Sequence, residues 1–424
     1  MNLYIKRIFN GILLFFLMLF MCWGLLQISY SLNNTIIRER IYESYIQLKN
    51  ETTYYRPFYG TSKILYNVAA LDNFTDAIIL NVALDKGKDQ EISIQKRALL
   101  NIHYRIGPEY SQISNLGEAL NEENEANYDY SRYWFGIETI VRPLLMIFNL
   151  QEIRYINMIF MFCLFLLAFY LIGKKTHVKY SFAFAISVIL INFCVIPMTI
   201  QFTPVMIIML LSIIIILEFY ENVRFKSFLP YMFVIIGTIT SFMDLLTYPL
   251  ITLAFPLIVI ELLEMQKNTT NIKRRLMNIL KYSTIWALSY SLFYVCKWII
   301  AGLVIDRSVI DVAVGQLEYR LNISGSPKVN RLDVIKVNVE TYFNSIVVAM
   351  LIIYITVWII LLLFARNKKV KIKNLIPLLV IMIYPFLWYC AISNHSAEHP
   401  WMTYKILSVT MFTFLISTLT YIER

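Results

Sequence analysis

Long uncharged apolar runs alternate with short polar connections over most of the chain. Ile12 to Ile28, Val205 to Leu217 and Met350 to Phe364 contain no charged residue. An apolar stretch of about 20 residues matches the roughly 30 Å hydrocarbon core, where a helix satisfies its own backbone. The pattern predicts an all-α, polytopic transmembrane bundle with spans near 8–30, 155–173, 180–197, 200–219, 228–246, 248–265, 282–301, 342–364, 374–393 and 405–421. Ten spans put both termini on one side. Two polar segments are much longer than the rest, residues 31–154 and 302–341. Within the first, apolar stretches at 64–84 and 136–150 have the length and period of helices lying on the membrane surface. One membrane domain, without a separate soluble unit, is expected over 1–424.

Composition agrees: 58% of the 424 residues are hydrophobic and 16% charged, against about a quarter charged in soluble domains. The net charge of +10 would suit nucleic acid, but its placement argues otherwise. Short connections carry Lys174, Lys175 and Lys179; Lys267, Lys273, Arg274 and Arg275; and Arg366, Lys368, Lys369, Lys371 and Lys373. The positive-inside rule assigns such clusters to the cytoplasm, so the charge reports orientation and contact with anionic lipid. The turns near Pro197-Met-Thr and Tyr248-Pro249 carry no Lys or Arg and fall outside. The five cysteines all lie in apolar segments, without disulfide or zinc spacing, and read as packing residues. Lys6 and Arg7 precede the first apolar run, and no small-residue cleavage site follows, so that run reads as an uncleaved first helix.

Four polar clusters carry candidate chemistry, all predicted at the extracytoplasmic face. In Leu71-Asp72-Asn73-Phe74-Thr75-Asp76, the two aspartates are four residues apart and share a helix face. One carboxylate can accept a hydroxyl proton while the other orients it or holds a divalent cation, magnesium or manganese. Asp72 also suits a helix N-cap and Asp76 a first turn. Tyr130-Ser-Arg132-Tyr133-Trp134-Phe135-Gly136 and Arg142-Pro143 set arginine among aromatics, which suits a lipid-linked phosphate; the plainer reading is an interfacial belt. Ser393-Asn394-His395-Ser396-Ala397-Glu398-His399 and the following Trp401-Met-Thr-Tyr-Lys405 hold two of four histidines, able to donate to a phosphate or shuttle a proton. Two histidines are too few for a zinc site, so no metal centre is assigned. Asp244, near the end of a span, faces a polar cavity or pairs with Lys297. Together the clusters predict one outward-facing cavity.

The layout resembles the GT-C class of membrane glycosyltransferases: a first helix from the cytoplasm, a large acidic first external loop, and many following spans. The Asp-Asn-Phe-Thr-Asp, Arg-Tyr-Trp and Asn-His-Ser…His…Thr-Tyr-Lys stretches are similar to bacterial membrane proteins of surface-polysaccharide assembly. The architectural likeness covers nearly the whole chain and the motif likeness about thirty residues. A soluble C-terminal domain is absent from the likeness, and ten spans is a little short. In that class an aspartate of the first external loop is the general base, to which Asp72 or Asp76 would correspond. The resemblance implies a plasma-membrane enzyme transferring sugar from a polyprenyl-phosphate donor to a glycan or glycolipid acceptor. Arg132, Arg142, Asp244, Asn394, His395, His399 and Lys405 are then the candidates to hold phosphate and sugar. A polymerase or ligase of lipid-linked glycans is one alternative, and a flippase of lipid-linked saccharide another. Few glycines in the spans and charges outside the midplane weigh against transport.

Overall fold

The computed structural model describes residues 3–56, 68–267, 271–324, 328–364 and 372–422. Among these residues the regular structure is helical apart from one short ribbon, Ile102–His103 paired antiparallel with Tyr128–Asp129. Six helices are long and apolar enough to cross a membrane: Ile5–Tyr30, Leu150–Lys175, Val223–Met243, Ile272–Ile305, Lys373–Ala391 and Pro400–Thr420. A seventh is added if Arg331–Tyr342 and Ile346–Ile360, bent by 79°, count as one span. Phe9, Leu13, Leu17 and Phe20 of the first helix stand exposed, as do Ile159, Leu166 and Tyr170 of the second. Hydrocarbon solvates such faces, and the protein is membrane-embedded.

Three other expected spans are shorter helices, Val178–Ile189, Thr203–Phe219 and Ile251–Gln266. At 1.5 Å per residue they reach roughly 18, 26 and 24 Å, less than a bilayer core. Local chemistry explains where they stop. The expected 180–197 span ends at Ile189; Asn192 then takes a left-handed φ of 58°, and Pro197 sits in a 3-10 turn, Ile196–Met198. Pro204 opens the next helix at a position where its missing N–H costs nothing. These short helices form the centre of the bundle, where Phe184, Val205, Met209, Phe255, Ile258 and Phe412 are fully buried.

The 31–154 segment builds a second core over the ends of the spans. Its Asn34–Glu51 helix buries Ile37, Ile41 and Leu48 against the Asn73–Ala83 helix. The surface helix expected at 64–84 is corrected here: residues 64–67 lie outside the described residues, and from Asn73 to Ala83 every side chain but Phe74 is buried. A helix buried on nearly every face, its Asn73, Thr75, Asp76 and Asn81 included, belongs in a core rather than on a membrane surface, and this one is the centre of the segment. The expected 136–150 helix runs Glu138–Leu145 and leaves Ile140 exposed. Between these helices the Arg132–Gly136 strip is pinned to the spans. The Trp134 indole donates to the Phe293 carbonyl at 2.9 Å and the Gly136 N–H to the Phe242 carbonyl at 2.9 Å. A Cβ at Gly136 would come within 2.5 Å of that same oxygen, so only glycine allows the approach.

Residues 302–341 form the Val309–Arg320 and Arg331–Tyr342 helices. The Asn394 side chain donates to the Tyr319 carbonyl at 2.7 Å, and the Tyr319 hydroxyl to Glu398, which ties the first of these helices to Ser393–Glu398.

Candidate functional site

A cleft of about 210 Å³ opens where the two polar segments meet the turn between the last two spans. Its walls are Tyr54, Phe74, Thr75 and Ile78; Tyr130, Arg132, Tyr133 and Phe135; Gln201 and Leu245; Arg320; and His395, His399, Trp401 and Met402. Residues from three of the four sequence clusters thus converge on one void.

Asp72 caps the Asn73–Ala83 helix, accepting the Thr75 N–H at 3.1 Å. Its other oxygen accepts from the Gln201 amide. With 2% of its surface accessible, it sits directly behind the Thr75 and Gln201 wall rather than in the lining. Burial raises its pKa from the ordinary aspartate value; the Thr75 bonds and the Lys405 ammonium oppose the rise. Asp76 is sealed more deeply. One oxygen accepts the Ile200 N–H at 2.9 Å and the other lies 3.5 Å from Arg154. Burial pushes its pKa up to about 8 despite that arginine. Capping and wall-building account for both aspartates' bonds, and the pair does not converge on the void.

The cationic wall is different. Arg132 is half-buried, its guanidinium 4.4 Å from the Tyr130 ring centroid and 5.2 Å from that of Tyr133. Arg320 donates to the Tyr133 hydroxyl and lies 5.4 Å from the same ring. Neither guanidinium has a carboxylate partner among the described residues, and the Arg132 Nε is buried with no hydrogen bond. Tyr133 therefore carries a guanidinium from each of two distant segments. Two cations held by ring faces, and in Arg320 by one phenol hydroxyl besides, leave most of their N–H donors open to an anion.

His395 is buried, and its Nε2 lies 2.6 Å from the Leu246 carbonyl. A carbonyl only accepts, so Nε2 carries the proton and Nδ1 is left bare. Burial, with Arg320 and His399 nearby, moves its pKa well below 6.5, and burial lowers that of His399 as well. The His395 N–H is thus spent on the Leu246 carbonyl, and its role here differs from the expected donation to a phosphate. The supporting turn is itself built. The Asp244 carboxylate accepts the Thr247 N–H at 3.0 Å and its hydroxyl at 2.5 Å, and Leu246 between them holds a left-handed φ of 68°.

The remaining candidates lie outside the cleft. Arg142 is fully buried in the loop core, donating to the carbonyls of Ser29 and Ala83 and to Asn34, with Asp85 3.8 Å away. It knits three segments together and faces no void. The expected Asp244–Lys297 pair does not form: Lys297 donates to the Leu99 carbonyl at 2.6 Å and rests on Trp134, while Asp244 holds its own turn. Asn394 positions the Arg320 helix, as described above. Lys405 donates to the Trp401 carbonyl at 2.6 Å and lies over Phe202, behind the wall near Asp72.

Sequence reasoning missed Tyr54, Gln201 and Arg320. Tyr319-Arg320 repeats the arginine–aromatic adjacency of residues 130–133 and could have been found by it; Gln201 gives no such signal. Among the described residues no three His, Cys, Asp or Glu side chains converge as metal ligands. Comparison of the chain with protein-family models, with curated proteins and with solved structures returns no match.

Proposed function

We propose that the protein is a membrane glycosyltransferase, moving a sugar from a polyprenyl-phosphate donor to a glycan or glycolipid at the extracytoplasmic face of the plasma membrane. The observation that carries this reading is the pair Arg132 and Arg320, two guanidiniums on one cleft wall with no carboxylate partner among the described residues. A phosphate complements such a pair in charge and in bidentate geometry. An apolar groove lined by Ile140, Leu144, Ile207, Ile208 and Met243 lies behind the same wall: Ile200 and Thr203 line the groove, and Gln201 the cleft. In this reading the first isoprene units of the donor rest against that apolar surface, next to the phosphate site.

In the reaction the acceptor oxygen attacks the anomeric carbon and forms the new C–O bond. The sugar–phosphate C–O bond breaks, and its electron pair leaves with polyprenyl phosphate. Arg132 and Arg320 stabilise the charge that develops there. The hydroxyl proton passes to Asp72, made more basic by burial and reached when the acceptor hydroxyl displaces the Gln201 amide that covers its carboxylate from the cleft side, and the bare Nδ1 of neutral His395 accepts a hydrogen bond that orients the hydroxyl. Asp76 and Lys405 keep the wall in register. The orientation that goes with this reading is ten spans with both termini in the cytoplasm.

The test is reconstitution of the full chain in proteoliposomes with a panel of polyprenyl-phosphate sugars, following free polyprenyl phosphate. Intact donor recovered from the opposite leaflet, with none released, would make the protein a transporter.

A further inference from the structure

The arginine–tyrosine arrangement does not stop at the cleft. Beyond Tyr130 it continues along the short ribbon, where Tyr128 lies 5.7 Å from the Tyr130 ring and Arg105 sits 5.1 Å over Tyr128. Inward, the Tyr130 and Tyr133 rings are 5.9 Å apart, and Arg320 closes the row. Three guanidiniums and three phenols therefore form one continuous line from the cleft out along the polar loop. His103 backs the line, stacked on Tyr130 at 5.2 Å with its planes 11° apart.

Among the described residues no carboxylate pairs with the three arginines of this line. Arg105 has no carboxylate partner among the described residues, and its Nε is buried without a hydrogen bond. The one carboxylate on the ribbon, Asp129, is already taken by Arg307 at 2.5 Å and by the Ser131 hydroxyl at 2.6 Å. Tyr128, Tyr130, Arg105 and Arg132 are all partly exposed, so a ligand can reach them. Folding alone gives no reason to keep three cations in a row beside one another. Rings offer flat faces to sugar C–H groups, and the arginines between them offer forked donors to carboxylate or phosphate. A lipid tail is unsuited to this line, because it runs over a polar ribbon rather than an apolar helix face.

We infer that this row is a binding track for an acidic glycan, the acceptor, whose reacting end enters the cleft between Arg132 and Arg320. The inference deepens the transferase reading and rests on it for the word acceptor; the binding itself is independent of any transfer.

The experiment is therefore done without donor. The full chain in nanodiscs is titrated calorimetrically with hexagalacturonate, a carboxylated probe, and with maltohexaose, a neutral one of equal length. Hexagalacturonate binds at least about tenfold tighter, and its affinity falls as salt is raised. Arg105→Gln and Tyr128→Leu each weaken it by about tenfold, while Tyr128→Phe, which keeps the ring, binds like the parent chain. Thermal midpoints of the three variants show that they are folded. Equal binding of maltohexaose overturns the inference, and so does unchanged binding in both Arg105→Gln and Tyr128→Leu. Tighter binding of single-stranded oligo-dT than of hexagalacturonate also overturns it, since stacked rings among arginines then serve nucleic acid. Loss of the transferase reading looks different: hexagalacturonate still binds, and no polyprenyl phosphate is released.

Discussion

Replacing Arg320 with glutamine separates a functional cation from a structural one. In the resting protein this guanidinium has one hydrogen bond, to the Tyr133 hydroxyl, and one ring contact. A ring contact contributes about 0.5–1 kcal/mol at an accessible site. Holding a partly buried cation without a carboxylate costs free energy in the other direction. The two oppose one another, and at about 2.1 cal/mol/K per residue a chain of 424 residues shifts its midpoint by roughly 1 °C per kcal/mol. Arg320→Gln should therefore melt within about 3 °C of the parent protein. Transition-state stabilisation is another matter, because removing one donor from a developing oxyanion costs about 100-fold or more in turnover. Arg320→Lys should recover only part of that loss, since an ammonium lacks the planar fork. The assay pairs release of polyprenyl phosphate in proteoliposomes with thermal unfolding in detergent. A variant that keeps more than a tenth of the turnover refutes the role. So does a midpoint lowered by 8 °C or more, which would make Arg320 a structural clamp.

Three further outcomes follow from the geometry. Asp72→Asn should lower turnover by at least about 100-fold; if it keeps a tenth while His395→Gln abolishes release, the proton goes to His395 instead. Glu138 is sealed in the loop core with neither carboxylate oxygen hydrogen-bonded, and burial raises its pKa from 4.5 to about 8. A raised carboxyl pKa favours the protonated fold, so its stability is complete below about pH 4.5 and falls as pH rises towards 8. Glu138→Gln should then raise the unfolding midpoint at pH 8.5 and change it little at pH 5; a lower midpoint at both would mean an ionised Glu138 paired with Arg142. For orientation, a cysteine at the exposed Glu123 position should react with impermeant maleimide on intact cells, and one at the exposed Arg274 position should not. The reverse pattern would invert the topology.

The helices were legible in the sequence because each depends on a local run of side chains. Their ends were less so. The stretch from Ile189 to Pro204 is almost unbroken in apolarity, and its turn is set by the backbone of Asn192 and by two prolines. The candidate clusters were legible as unusual densities of Asp, Arg, His and aromatic residues, and three of them share the cleft. What could not be read was which members face it. Arg142 and Arg132 look alike in sequence, yet the first meets Ser29 and Ala83, more than 50 residues away, and the second meets only its neighbouring rings. Asp76 likewise owes its sealed position to Arg154 and Ile200, which no local pattern announces. Chemistry of single residues is local, and orientation is a property of the fold.

The central claim is that the cleft breaks a sugar–phosphate bond, and one measurement addresses it directly. The purified chain is reconstituted with polyprenyl-phosphate sugars and polyprenyl-linked oligosaccharides, and lipid products are followed by mass spectrometry, with Arg132→Gln/Arg320→Gln as the control. Free polyprenyl phosphate that accumulates with the parent chain and is absent with the double variant is the predicted result. Donor that stays intact with every member of the panel, or release that is equal in the double variant, would contradict it.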